Sequence, residues 1–215
     1  VVLMDPTSGD SYAEQWTPLD LTYCAGGGAD MEGTQYKEQG SISSYTQWTM
    51  AATYKIDAAS QYCILSYRDE SSGETNDRAT LVIDNGNSVG LWDDINGWLY
   101  ADPTIDPGTV NYHRIACSYN STTARKLYHD GSLVNTDNTI TARDAGFDML
   151  SVAREDDTGA DVLNGKVGFA YLRGSVLSDD WLNAEWDNVS DPENFYSVGA
   201  VTEIDGGDQG VPQVI

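Results

Sequence analysis

Asn111 to Thr136 reads NYHRIACSYNSTTARKLYHDGSLVNT, two consecutive antiparallel hairpins with each turn chemically marked. From Tyr112 to Tyr119, the residues His113, Ile115, Cys117 and Tyr119 fall on one face and Arg114, Ala116 and Ser118 on the other. That period of two belongs to a half-buried strand with one apolar face. Polar NSTT follows as a turn, Arg125 to His129 is a second strand, and Asp130-Gly131 is a dipeptide that tolerates the positive φ of a tight hairpin. Ser132 to Asn135 returns as a third strand.

The same rhythm extends in both directions. Turn signals (PTSG, AGGGAD, DESSGETND, DNGN, DDING, DPTIDPG, DDTGAD) recur at short intervals with β-branched or aromatic stretches between them, the pattern of an all-β sandwich or barrel. Gln47 to Ile56 is the clearest strand, with Trp48, Met50, Ala52, Tyr54 and Ile56 on its core face. Further strands are predicted at Gln61 to Arg68, Ala79 to Asp84, Ser88 to Trp92, Trp98 to Ala101, Asp148 to Arg154, Gly165 to Leu172 and Phe195 to Val201, enough for two packed sheets. A single helix is predicted from the N-cap Ser178, with Asp179 and Asp180 favouring its positive end, Leu182 and Trp186 packing on the body, and an end by Asn188 before Pro192. Residues 1–202 are expected to form one domain, and 203–215 a Gly-rich arm or linker.

The chain has 215 residues, with 34 acidic against 11 basic side chains and a net charge of −23. Such a charge repels phosphate backbones and anionic lipid, so nucleic acid and membrane surfaces are not expected as partners. No apolar run is long enough to cross a bilayer. The chain starts at Val1 with neither initiator Met nor signal peptide, and is expected to be a mature, processed or excised product. The three cysteines, Cys24, Cys63 and Cys117, are too far apart for a zinc pattern; Cys63 and Cys117 lie in apolar strands and are expected as buried free thiols, with one disulfide still open.

Two segments, NYHRIACSYNSTTARKLYHDGSLV and LNGKVGFAYLRGSVLSDDWLNAEWDNVSDPENFYSVG (Leu163 to Gly199), resemble the laminin-G-like, concanavalin A-like jelly-roll superfamily. An LYxDG hairpin and a final strand-to-helix segment with LS at the helix start recur in that family, and the likeness runs from about Thr46 to Gly199. It implies a two-sheet antiparallel jelly roll with one short C-terminal helix. It also implies a calcium ion at the loop-bearing rim, and a fold used by lectins, adhesion modules, virion proteins and glycosidases alike.

Paired carboxylates for glycoside hydrolysis have one near match, Glu203-Ile-Asp205-Gly-Gly-Asp208, which lies in the terminal Gly-rich segment and ends in Asp where the jelly-roll glycosidases have Glu. Gly86-Asn-Ser88-Val-Gly90 has nucleophile-elbow spacing but is followed by a strand, and reads as a turn. With His113 and His129 the only histidines, a histidine-built zinc site or triad is not expected. Oxygen-rich loops suited to calcium are Asp84-Asn85-Gly86-Asn87, Asp93-Asp94-Ile95-Asn96-Gly97, and Glu155-Asp156-Asp157 with Asp161; the metal candidates taken from them are Asp84, Asn87, Glu155, Asp156, Asp157 and Asp161.

For ligand recognition the best segment is Leu91 to Tyr100. Trp92, Trp98 and Tyr100 offer flat apolar faces for sugar rings, and Asp93, Asp94 and Asn96 offer partners for hydroxyls. Trp16, Trp48, Trp181 and Trp186 read as packing residues, and Asn120-Ser-Thr and Asn188-Val-Ser as glycosylation sequons. The expected function is a non-catalytic, extracellular carbohydrate-binding or adhesion module with calcium at its rim. The alternatives are a self-assembling surface, fibre or virion subunit joined through its terminal arms, and a divergent glycosidase or lyase.

Overall fold

The computed structural model describes residues 2–4, 29–32, 37–57, 61–69, 78–84, 88–101, 111–120, 123–142, 146–154 and 161–191. The strands are β1 (Val2–Met4), β2 (Ala29–Glu32), β3 (Lys37–Gln39), β4 (Gln47–Ile56), β5 (Tyr62–Arg68), β6 (Arg78–Ile83), β7 (Val89–Asp93), β8 (Gly97–Tyr100), β9 (His113–Asn120), β10 (Ala124–His129), β11 (Ser132–Asp137), β12 (Met149–Val152) and β13 (Asn164–Arg173). One helix, α1 (Asp179–Ser190), follows. A seven-stranded sheet has the order β1-β13-β4-β9-β10-β11, with β2 also paired to β13; a six-stranded sheet has the order β3-β12-β5-β6-β7-β8. The two antiparallel sheets pack face to face as a jelly-roll sandwich, the predicted class. The predicted strand Phe195 to Val201, the boundary at 202/203, Trp16, Cys24 and the Glu203–Asp208 run lie outside the described residues.

Between the sheets lies one large core. Trp48 of β4 stacks on Tyr119 of β9, its partner in register, with ring centroids 5.1 Å apart and planes at 8°. Tyr67 meets Trp48 and Phe147 edge-on at 6.0 and 4.7 Å. Cys63 and Cys117 are buried free thiols, and burial pushes the Cys117 thiol well above its usual range, so it packs as a small hydrophobe.

The expectation of one buried face per strand needs correction for β4 and β9. Ala51 and Ala116, on the opposite face, are as buried as the core, together with Tyr128, Tyr171, Leu177 and Leu182. The reason is α1, which lies on the outer face of the seven-stranded sheet. Tyr171, Ala51, Ala116 and Tyr128 form one row across β13, β4, β9 and β10. The two small side chains at its middle leave a trough that Leu182 fills.

Ser178 caps α1 by accepting the Trp181 N–H at 3.2 Å, and the helix runs two residues past the predicted end, to Ser190. Its anchors are polar as well. Arg114, 2% exposed, donates to Glu185 and to the Tyr171 hydroxyl (3.3 Å). Asp179 accepts from Lys126 at 2.8 Å and from Tyr128 at 2.7 Å. Trp186 rests on Gly131, but Trp181 does not pack: it is 51% exposed, with its indole N–H on Glu185.

Candidate functional site

Alternation along β7 and β8 sends Val89, Leu91 and Leu99 into the core and turns Gly90, Trp92, Trp98 and Tyr100 to the outer face of the six-stranded sheet. With α1 on the other sheet, no described helix or strand covers this face, yet its middle (Ser151, Ser66 and Thr80) is fully buried while Trp98 at its edge is exposed. Register aligns one residue from every strand in a row across it: Glu38, Ser151, Ser66, Thr80, Trp92 and Trp98. Five strand spacings make the row about 24 Å long.

One end of the row is aromatic. Trp92 and Trp98 are 4.8 Å apart and tilted at 54°, and Trp98 stacks on Tyr100 at 4.8 Å and 10°. Tyr100 lies over its register partner Gly90, where a Cβ would stand 3.2 Å from the ring. The three rings thus form a ridge leaning together. Trp98 is its crest, 37% exposed. Burial and the neighbouring Asp84 carboxylate raise the Tyr100 hydroxyl above its usual value, keeping it neutral.

The row's other end is polar and charged. Glu38 Oε1 accepts from Arg68 at 2.8 Å and from Ser151 at 3.2 Å, with Arg154 at 3.6 Å. The Ser66 and Thr80 hydroxyls, both buried, bond to each other at 3.1 Å.

The structure assigns the three polar residues of the Leu91–Tyr100 segment to the turn itself. Asp93 is fully buried; its carboxylate accepts the Ile95 and Asn96 N–H groups at 3.0 and 3.2 Å and the Asn96 amide at 3.1 Å. Asp94 accepts the Trp92 indole N–H at 2.7 Å and the Arg78 N–H at 3.1 Å. Asn96 exchanges bonds with the Thr141 backbone at 2.6 and 3.2 Å. Expected as ligand contacts, these groups are already committed to shaping the β7–β8 hairpin. Behind it stands Arg125, 1% exposed. Its guanidinium reaches across the sandwich to the carbonyls of Asn96 (2.6 Å), Gly97 (2.7 Å) and Trp98 (3.4 Å), with Asp137 at 3.1 Å and Asp93 at 3.9 Å. Sequence reasoning missed this residue: an Arg in an alternating strand carries no local signal of which distant carbonyls it will meet.

Of the calcium candidates, Asn87, Glu155, Asp156 and Asp157 lie outside the described residues. Asp84 accepts the Ser88 N–H at 2.8 Å, and Asp161 accepts from Gln61 at 2.8 Å. The two share one end of the six-stranded sheet, since Asp84 follows Ile83, the partner of Tyr62, and the Asp161 carbonyl accepts from Cys63.

The histidines, expected to serve in ordinary packing or hydrogen bonding, are brought together. The His113 and His129 rings stack at 5.3 Å and 21°. His113 Nδ1 lies 2.8 Å from Asp130 Oδ2, His129 Nδ1 lies 3.6 Å from the same oxygen, and His129 Nε2 meets the Tyr54 hydroxyl at 3.0 Å. Burial lowers the His129 pKa to about 4, against the pull of Asp130 and with the help of His113. Burial alone would raise Asp130, but the hydrogen bond from His113, the nearby His129 and the Arg114 N–H hold it below its usual value. The sequence signal was the spacing: His113 and His129 flank a two-strand hairpin whose register returns the second beside the first.

Comparison with protein-family models and with curated proteins finds no match. Among solved structures the chain is similar to the CBM40, a carbohydrate-binding module, of Ruminococcus gnavus IT-sialidase bound to α2,3-sialyllactose (TM-score 0.54, 19% identity, 71% of this chain and 98% of that one). It is also similar to a heptameric SAP-like pentraxin from Limulus polyphemus (TM-score 0.53, 13% identity, 66% and 70%). A third is domain 4 of AbnA, an extracellular GH43 arabinanase from Geobacillus stearothermophilus, in complex with arabinotriose (TM-score 0.53, 14% identity, 66% of each chain). At these identities the likeness establishes the fold, that of the jelly-roll sandwich.

Proposed function

We propose that this chain is a non-catalytic, extracellular glycan-binding module whose ligand lies on the outer face of the six-stranded sheet. The observation that carries the reading is the Trp92–Trp98–Tyr100 ridge at that sheet's edge, on a face without a covering helix or strand among the described residues. Aromatic surface takes up the apolar C–H faces of sugar rings, and the ridge brings three rings to one place. The Asp93–Asn96 turn supplies rigidity to the ridge. Support comes also from fold neighbours solved with sialyllactose and with arabinotriose. The laminin-G-like type of the reading rests on the LYHDG hairpin, and calcium assistance on Asp84 and Asp161 at one end of the sheet.

The test is a glycan array run with calcium and with chelator, on the wild type and on Trp98→Ala. Saturable binding to a related set of sugars is expected, with loss in Trp98→Ala. Trp98→Ala loses two ring pairs worth about 0.5–1.5 kcal/mol each beyond their buried area, so near-UV circular dichroism of the variant must show it still folded. Loss in chelator adds calcium to the site. Wild type that binds no glycan in either buffer overturns the reading, and large assemblies on gel filtration would then favour a self-assembling subunit. Release of reducing ends from a polysaccharide would revive catalysis.

A further inference from the structure

We propose that His113, His129 and Asp130 form a binding site for a first-row divalent metal ion of the zinc type, on the seven-stranded sheet and separate from the proposed glycan surface. One ring nitrogen from each histidine and one carboxylate oxygen lie within 4.8 Å of one another. Asp130 Oδ2 is the common point, 2.8 Å from His113 Nδ1 and 3.6 Å from His129 Nδ1. Ligands about 2.0–2.2 Å from a tetrahedral zinc ion stand about 3.3–3.6 Å apart, so the His129–Asp130 pair already has that spacing and the His113–Asp130 pair must open by about half an ångström or a little more.

The outer partners match those of a metal site. The Tyr54 hydroxyl engages His129 Nε2 at 3.0 Å, leaving Nδ1 turned toward Asp130, and the Arg114 N–H donates to Asp130 Oδ1 at 2.8 Å, leaving Oδ2 turned toward the histidines. Such bonds fix the tautomer and ring orientation of a ligating histidine and the rotamer of a ligating carboxylate. The scaffold is stiff, because His129 ends β10, His113 begins β9, and Asp130 sits in the two-residue turn with φ 48°. It is also accessible: the His113 and Asp130 side chains are 19% and 29% exposed, while His129 at 3% forms the floor. The ion takes the place of the proton that His113 and Asp130 share, with solvent free to complete its coordination. Two imidazoles and one carboxylate select a zinc-like ion over calcium, which requires six to eight oxygens.

The experiment is calorimetric titration of the whole chain with Zn²⁺ in excess Mg²⁺, which occupies the scattered surface carboxylates of this acidic protein. Parallel titrations use Asp130→Asn, which keeps a turn-compatible residue, and His113→Ala. One equivalent of saturable binding is expected, weakened more than about tenfold in both variants, and about 10- to 100-fold in Tyr54→Phe, which loses the outer hydrogen bond to His129. Co²⁺ should give the visible absorption of a four- or five-coordinate nitrogen–oxygen site, absent from both ligand variants. Near-UV circular dichroism of each metal-free variant identifies any that fails to fold; Asp130→Asn still decides the matter if His113→Ala does. Wild type without one-equivalent binding, or binding of unchanged affinity in folded Asp130→Asn, overturns the site and leaves the cluster as a hydrogen-bonded corner of the hairpin.

Discussion

Arg125 links the sandwich to the candidate surface. A guanidinium buried among backbone carbonyls and two carboxylates is offset only while all partners are in place. In Arg125→Met the Asp93 carboxylate stays buried without its cation, and the carbonyls of Asn96 and Gly97 lose their donor. The expected loss is about 3–5 kcal/mol in chemical denaturation, with weaker glycan binding in any fraction that folds. Asp137 shows a milder version on the same residue's other side. Hydrogen bonds from the Thr139 backbone and side chain and from Arg125 hold its carboxyl below the usual value, against burial. A depressed folded pKa stabilises above the unfolded value of about 3.9 and is lost as pH falls through the folded one. Asp137→Asn should therefore be less stable than wild type at neutral pH, with the gap in urea midpoint closing as both are acidified below the usual carboxylate range. A gap unchanged by acid would show that the bonds to Asp137 do not depend on its charge.

Asp130-Gly131 was legible as a turn from its residue types, and its φ values of 48° and 76° are those of the type I′ hairpin that matches strand twist. What the dipeptide did not reveal is that Gly131 also lies beneath α1, where an added Cβ would stand 2.8 Å from the Trp186 Cβ. Gly131→Ala combines a strained φ with a clash against the helix, and should cost about 1–3 kcal/mol. Thermal melting checks this, and a change below that range would mean the helix shifts freely. The helix was readable from Ser178 and its acidic first turn. Its docking was not: alternation in β4 and β9 marks a core face clearly, whereas Ala51 and Ala116 on the other face look the same whether they meet water or a helix. Trp181 and Trp186 differ for a related reason, since five positions apart they face different sides of α1, and only one side meets the sheet.

Across the whole molecule, a net charge of −23 on 215 residues makes self-repulsion part of the energetics. Raising NaCl from low to moderate concentration should raise the melting temperature by screening that repulsion, since most of the charge is carried in surplus carboxylates rather than in ion pairs. A fall would mean that pairs such as Lys126–Asp179 and Arg68–Glu38 outweigh it. Sequence by itself determined the strands from Gln47 to Leu172, the all-β class, the tight hairpin and the capped helix α1, because alternation, turn chemistry and capping act between residues a few positions apart; the short strands β1, β2 and β3 carry too few residues to show alternation and were not read. It also picked out Trp92, Trp98 and Tyr100, which β7 and β8 place on one face. Only the tertiary structure decided that Asp93, Asp94 and Asn96 serve the turn, that Arg125 reaches from the opposite sheet to hold it, and that the two histidines meet over one carboxylate. Those pairings are set by sheet register and by packing between layers, which join residues far apart in the chain.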